Sequence, residues 1–243
     1  MNGRRLLAEF IGTAVLLAAI VGSGIVVSAD GSESARLFQH AVVVGAALSA
    51  MIFTFESVSG AHFNPSITIA DAVLGGMSWR CAIGYLAAQM TGGFVGVGVT
   101  NWLFGEKALA IATVERVGVP LAASEALATF GLVVVVFGTA RSSNLPAVAL
   151  AVGTYITAAI FFTSSAAFAN PAVTLARVFT STWAGIAPNG LPAFLAGQAA
   201  GTVVAIGVVG YLYRPSPGAS ARIAQDPPAP QRKERSEPRL TPD

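Results

Sequence analysis

Two asparagine residues have side chains and surroundings suited to acting on a solute. Asn64 and Asn170 each precede a proline and a short apolar stretch, and the segments around them, residues 59–68 and 165–174, align without a gap. Proline suits the first position of a helix, and asparagine before it is a strong N-cap because its side-chain oxygen accepts a backbone N–H. The amide nitrogen is then left over, so each asparagine is predicted to direct two hydrogen-bond donors into a lumen.

The helix that follows each asparagine is predicted to be too short to cross a membrane. The two apolar stretches run over about Asn64–Leu74 and Asn170–Thr180. About ten helical residues span about 15 Å, which is half of a 30 Å hydrocarbon core. Two such half-helices would meet near the midplane with the positive ends of their dipoles together. Cations would meet a barrier there, whereas water and hydroxyl compounds could accept hydrogen bonds.

Six longer apolar segments are predicted to cross the membrane and to position these half-helices. The chain of 243 residues is 54% hydrophobic and only 11% charged, against about 25% charged residues in soluble domains. The segments are Leu6–Ser28, Phe38–Val58, Trp79–Phe104, Leu121–Ala140, Leu145–Thr163 and Leu191–Tyr213. Each has about the 20 apolar residues that a spanning helix needs. The sequence therefore predicts an all-α membrane protein with six transmembrane helices and two half-helices.

The predicted spans fall into two related halves. Repeat 1 covers about residues 6–104 and repeat 2 about residues 121–213, with Glu9 corresponding to Glu125 and Gln89 to Gln198. Three spans per half is an odd number, so the halves must have opposite orientations in the membrane. Such an inverted repeat is expected to hold its functional site near the midplane, where the broken helices meet.

These motifs resemble the aquaporin and aquaglyceroporin family of major intrinsic proteins. The resemblance rests on the sequences AEFIGT at residues 8–13, SGAHFNPS at residues 59–66 and NPA at residues 170–172, and it covers about Leu6 to Tyr213. It implies a right-handed bundle with a pore in each subunit and usually a homotetramer. The pore motifs would be Asn64, Pro65, Ser66, Asn170, Pro171 and Ala172, with Ser66 in place of the usual alanine.

The resemblance also indicates an unusual selectivity filter. Water-selective members usually combine an aromatic residue, a histidine, a small residue and an arginine at the narrowest point. The corresponding residues here are Val44, Ala158 (or Thr157 if the register slips by one), Ala167 and Val173. Such a wide apolar filter is expected to pass glycerol or undissociated metalloid acids such as arsenous acid. In the alternative, a neighbouring side chain closes the gap and the pore passes mainly water.

Several other polar residues admit two interpretations each. In the family, residues such as Glu9 and Glu125 brace the half-helix loops, and Gln89 and Gln198 are expected to support helix packing. Charged residues inside a membrane are functional candidates by default. A proton-coupled secondary transporter would instead use Glu9, Glu125 and Glu56 as coupling sites.

Two further side chains near the half-helices could act on the pore. Arg177 either lines the outer mouth, partly replacing the missing filter charge, or only caps the second half-helix. His62 is either a titratable gate or a structural support.

Charge distribution predicts the location of the protein. Basic residues, among them Arg4, Arg5, Arg80 and Arg141, cluster on the side of the termini. By the positive-inside rule, both termini of this multi-pass protein are predicted to be cytoplasmic, in the inner (plasma) membrane. Residues 1–213 would form the channel domain and residues 214–243 a disordered, proline-rich cytoplasmic tail.

The residue inventory argues against other function classes. The excess positive charge lies in the tail, which has no aromatic residues to stack on bases, so no nucleic-acid partner is expected. A single cysteine cannot build a thiolate metal site, and no phosphate-binding loop, metal-ligand cluster or pair of catalytic carboxylates is recognisable. We therefore expect no metal, no cofactor and no enzymatic activity.

Overall fold

The computed structural model describes residues 3–27, 32–142 and 145–213, and all regular secondary structure in these ranges is helical. The six long helices are α1 (Gly3–Val27), α2 (Glu33–Ser59), α4 (Trp79–Leu103), α5 (Val119–Thr139), α6 (Leu145–Phe162) and α8 (Leu191–Leu212). Two short helices, α3 (Pro65–Val73) and α7 (Pro171–Ala176), follow the second long helix of each half. The predicted disordered tail, residues 214–243, lies outside the described residues.

The long helices have the length and composition of membrane spans. Five of them are long and apolar enough to cross a bilayer, and α6 is a shorter apolar helix. Its 18 residues extend about 27 Å, close to the thickness of the hydrocarbon core. Large apolar side chains also cover the outside of the bundle, as at Val119 and Val203, which are 83% and 69% exposed. The predicted all-α membrane fold with six spans and two half-helices is confirmed.

The two halves of the chain pack in the same way. Helix α1 packs against α2 and α4, and its counterpart α5 packs against α6 and α8. The halves meet where α2 lies against α6 and where the two short helices touch. We call the end of the bundle at which α1 begins the near end and the opposite end the far end. Helix α3 runs from the middle of the bundle to the near end, and α7 runs from the middle to the far end.

Glycines allow the backbones of paired helices to touch. A Cβ atom on Gly96 of α4 would lie 2.3 Å from the carbonyl oxygen of Ala14 in α1, and one on Gly201 of α8 would lie 2.3 Å from that of Ala126 in α5. In lipid, where hydrophobicity does not draw helices together, such close packing is a main source of association. The equivalent helix pairs in the two repeats thus both pack closely at a glycine.

We predict that Gly201→Ala destabilises the fold, because the added methyl group would overlap the backbone of α5. Overpacking of this kind costs about 1–3 kcal/mol. Gly207→Ala, on the same helix, is the matched control, since a Cβ there has no neighbour within 4 Å. Thermal unfolding in detergent should show a lower melting temperature for Gly201→Ala alone. Equal melting temperatures for both variants would contradict the proposed close contact.

Candidate pore

Both short helices begin at an asparagine that caps them. The side-chain oxygen of Asn64 accepts the backbone N–H of Ser66 at 2.9 Å. That of Asn170 accepts the N–H of Ala172 at 3.0 Å and of Val173 at 3.3 Å. Proline occupies the first turn of each helix, where a missing N–H costs nothing. The repeated Asn-Pro sequence therefore produces two equivalent helix starts.

The asparagine amides tie the two halves together. Nδ2 of Asn64 donates to the carbonyl oxygen of Ala169 at 2.8 Å, and Nδ2 of Asn170 donates to that of Phe63 at 2.8 Å. The sequence predicts that each asparagine directs two N–H donors into the lumen. One of the two is used in this reciprocal contact, which leaves one N–H per asparagine for the cavity that both residues line.

Two buried glutamates hold the loops that lead into the short helices. Glu9 accepts the backbone N–H groups of His62 at 3.0 Å and Phe63 at 2.7 Å. Glu125 accepts those of Phe168 at 2.9 Å and Ala169 at 2.8 Å. These N–H groups lie inside the bundle, where each unmade hydrogen bond would cost several kcal/mol.

Each glutamate is oriented in turn by a glutamine. Gln89 Nε2 donates to Glu9 at 2.8 Å and to Thr68 at 2.9 Å. Gln198 Nε2 donates to Glu125 at 2.6 Å and makes the equivalent contact to the hydroxyl of Thr174 at 2.7 Å. The glutamines thus link the glutamates to the short helices, α3 in one half and α7 in the other.

The loops adopt a backbone conformation that needs this support. Phe63 and Ala169, the residues just before the two asparagines, have φ angles of 48° and 47°, and Ala61 and Ala167 match at 49° and 43°. The left-handed region costs a non-glycine residue roughly 1–3 kcal/mol. The conformation turns the carbonyl groups of Phe63 and Ala169 toward the opposite asparagine, as the cross-half hydrogen bonds require.

A cavity runs past the two asparagines along the centre of the bundle. The cavity has a volume of about 70 Å³, which is room for several water molecules at about 10–15 Å³ each. Its walls are mostly apolar side chains at four-residue spacing. The lining residues of α2 are His40, Val44, Leu48 and Ile52, and those of α6 are Val148, Val152, Ile156 and Ile160.

Three of the four sequence-predicted filter residues lie on this cavity. Val44, Ala167 and Val173 all line it and are buried. The fourth prediction is wrong in register: Ala158 is on the exposed side of α6, and the hydroxyl of Thr157 faces α2, where it contacts the carbonyl oxygen of Ala41 at 3.3 Å. Counting residues back from Asn170 does not account for the rotation of α6 about its axis.

Ile156 takes the place of the mispredicted residue. Thr157 contacts Ala41, and its hydroxyl lies 1.9 Å from where a Cβ on Gly45 would be. Val44 lies between Ala41 and Gly45 on α2, so Thr157 is at the same depth in the bundle as Val44. Ile156 precedes Thr157 and lines the cavity, so it lies at the level of Val44. Ile160 then lies one turn further toward the far end.

Arg177 lines the far-end part of the cavity and is buried. It also occupies the C-terminal cap position of α7, so both interpretations offered by the sequence describe its position. The sequence analysis missed His40, which lines the cavity four residues before Val44. A histidine within a predicted membrane span was the available signal.

Of the remaining polar candidates, Glu56 lies off the cavity and His62 is among the residues that line it. Glu56 is half-buried and is not among the residues that line the cavity. His62 lies in the loop before α3, where Nδ1 is 3.1 Å from the hydroxyl of Thr68. Its Nε2 lies 3.8 Å from a carboxylate oxygen of Asp71, so both ring nitrogens face a polar group.

The chain is similar to a known protein family, to several of its members and to a solved structure. A model of the major intrinsic protein family matches residues 1–163. Aquaglyceroporin AqpS of Rhizobium meliloti (strain 1021) is 38% identical over 214 residues, which is 88% of this chain and 91% of that protein. Aquaporin-5 of Mus musculus is 29% identical over 225 residues, 86% of this chain and 80% of its own. The X-ray structure of the aquaglyceroporin from Plasmodium falciparum superposes with a TM-score of 0.68 at 19% identity, covering 86% of this chain and 94% of that one.

We predict that Glu125→Gln destabilises the loop before α7 and reduces solute flux. The amide group would leave at least one buried donor without an acceptor, at a cost of about 1–3 kcal/mol. Melting temperature and passive flux in proteoliposomes measure the two effects. Glu56→Gln is the control, because that side chain has no hydrogen-bond partner among the described residues. Wild-type melting and flux in Glu125→Gln would show that the glutamate does not brace the loop.

We further predict that Ile156→Phe narrows the cavity whereas Ala158→Phe does not, because only the first side chain points into it. A flux reduction of about tenfold in Ile156→Phe would correspond to ~1.4 kcal/mol in the barrier. Stopped-flow measurement of glycerol flux compares the two variants of the same helix. The reverse result would support the register obtained by counting from Asn170.

Proposed function

The chain belongs to the major intrinsic protein family, whose members are channels and not enzymes, and we propose that this channel passes bulky uncharged polyhydroxy solutes. Glycerol and undissociated metalloid acids such as arsenous acid are the solutes proposed. The observation that supports this proposal is the apolar wall of the cavity where Val44, Ile156, Ala167 and Val173 line it.

The size and chemistry of these four side chains favour larger neutral solutes. None carries a ring or a charge, so none narrows the cavity as the aromatic residue and arginine of water-selective relatives would. Val173 follows the second Asn-Pro-Ala motif directly, so the absence of arginine there does not depend on an alignment gap. The name of the relative at 38% identity, an aquaglyceroporin, supports the same class of solute.

The hydrogen bonds of the buried glutamates favour passive permeation over coupled transport. A coupling site must release and rebind a proton during each cycle. Glu9 and Glu125 each accept two backbone N–H groups and one glutamine amide group. Protonation would remove an acceptor from the buried N–H groups that each carboxylate binds, so both groups are better suited to a structural role.

A mainly water-conducting pore is the second candidate, and Arg177 is the observation in its favour. The side chain lines the cavity four residues after Val173, about 6 Å further along the axis of a helix. At that position it could narrow the path that the apolar residues leave wide.

The assembly and orientation are part of the proposal. We infer a homotetramer with a pore in each subunit, as in relatives, with residues 1–213 forming the channel domain of two repeats. Basic residues near both ends of the chain support cytoplasmic termini and a location in the plasma membrane. The near end would then face the cytoplasm.

We predict that Val173→Arg suppresses glycerol and arsenous acid flux by at least about tenfold while water flux changes less, since a guanidinium at this level restores size exclusion. Stopped-flow light scattering on proteoliposomes measures all three fluxes. Val173→Met is the control, because it adds a long side chain without charge or donors. A wild type that passes only water would refute the proposed solutes and leave the second candidate.

A further inference from the structure

Two polar side chains lie in the cavity beyond the apolar filter, on separate elements. His40 precedes Val44 by four residues on α2, and Arg177 follows Val173 by four residues at the end of α7. Both therefore lie about one helical turn further toward the far end than the valines. Both line the same cavity as the valines and the asparagines.

The Arg177 guanidinium keeps most of its donors free. The side chain is only 3% exposed, and its Nε donates to the carbonyl oxygen of Ala184. The guanidinium carbon lies 3.4 Å from the centroid of the Phe168 ring, a distance at which a cation is attracted to the ring face. Among the described residues the two terminal nitrogens have no acceptor, so four N–H groups remain for a solute in the cavity.

The loop that supplies the Ala184 carbonyl is itself held in place. Arg116 donates from Nε to the carbonyl oxygen of Gly185 at 3.0 Å and from a terminal nitrogen to that of Trp183 at 3.1 Å. Gly24 of α1 lies against Ala184 so closely that a Cβ there would be 2.8 Å from the alanine methyl group. Arg177 is therefore oriented before any solute arrives.

His40 provides a hydrogen-bond acceptor, which complements the donors of Arg177. Nδ1 lies 2.8 Å from the hydroxyl of Ser23, which also lies 2.5 Å from the carbonyl oxygen of Ala19. The hydroxyl has one proton, and the carbonyl can only accept it, so Nδ1 must be the donor to Ser23. Nε2 of the neutral ring is then an acceptor, and it has no donor among the residues that the structure describes. Trp183 packs edge-on against the ring, with centroids 5.2 Å apart, and fixes its orientation.

We propose that Arg177 and His40 form a second selectivity ring, one helical turn beyond the apolar filter, which excludes cations and hydrogen-bonds the hydroxyl groups of the solute. This inference rests on the proposed function, since it assigns the charge and the polar contacts that the filter at Val173 lacks. Size selection and charge selection then occur at two separate levels of the pore. A hydroxyl group can donate to His40 Nε2 and accept from Arg177, whereas a cation meets a fixed positive charge.

The size of the expected charge effect follows from electrostatics. A cation that passes the Arg177 guanidinium is repelled by it, and the repulsion is weakly screened because the cavity wall is mostly apolar. Loss of the charge should therefore raise the proton leak by at least about tenfold. Arg177→Gln removes the charge and keeps a donor, and Arg177→Lys keeps the charge.

The experiment measures proton leak and solute flux on the same proteoliposomes. An internal pH-sensitive dye reports the leak after an acid jump with the membrane potential clamped, and stopped-flow scattering reports water and glycerol flux. We expect a leak increase in Arg177→Gln, a near-wild-type leak in Arg177→Lys, and restoration of the low leak in Val173→Arg/Arg177→Gln. Arg177→Met is a second neutral variant, in case the glutamine variant does not fold, because its unbranched side chain can still pack on Phe168.

The outcomes separate this inference from the proposed solute class. A wild-type leak in a neutral Arg177 variant that still conducts water would overturn the cation-excluding role, whatever the wild type transports. A wild type that conducts water alone would refute the proposed solutes, while the leak comparison would still test the ring. We expect His40→Phe to lower the ratio of glycerol to water flux, since glycerol loses an acceptor for its hydroxyl groups. An unchanged ratio would remove His40 from the ring.

Discussion

The structure depends on satisfying the backbone of two chain segments that turn back halfway through an apolar bundle. Irregular backbone at this depth is tolerated only where it is buried in protein or lines a water-filled cavity. Glu9 and Glu125 supply the acceptors, and the asparagine amides supply donors to the carbonyl groups of the opposite loop. Each half also completes hydrogen bonds of the other through the asparagine amides, which supports the left-handed conformation of both loops. The pore is therefore a product of the interface between the repeats.

The two repeats share the residues that brace the loops but differ in the polar side chains that line the cavity. Glutamate, glutamine and threonine recur at equivalent places, since both loops pose the same hydrogen-bonding problem. In contrast, His40 and Arg177 lie toward the far end only, and the far-end loop that holds Arg177 is clamped by Arg116. The bracing is thus common to both halves, while the two side chains proposed to discriminate among solutes lie toward one end of the pore.

The proposed apolar filter beside the asparagines has no arginine, so rejection of ions would need another source of positive charge. The helix dipoles contribute only about half a positive charge each at their N-termini. A buried arginine contributes a full charge, and the Phe168 ring and the Ala184 carbonyl hold it without neutralising it. Because the Arg177 guanidinium lies one helical turn beyond Val173, it does not narrow the cavity at the level of Val173. In the proposed arrangement, the filter contains a valine and the pore still keeps a positive charge.

The sequence by itself determined the spans, the inverted repeat and the paired asparagine tips, because these follow from the local order of apolar stretches and from the doubled Asn-Pro motif. Only the tertiary structure decided which side chains face the cavity. The rotation of α6 is set by its contact with α2 at Gly45 and Thr157, which directs Ile156 inward and Ala158 outward. The position of Arg177 likewise depends on Ala184, a contact between residues whose proximity no local pattern encodes. Periodicity reveals that a helix exists, but its orientation about its own axis is fixed by the neighbours against which it packs.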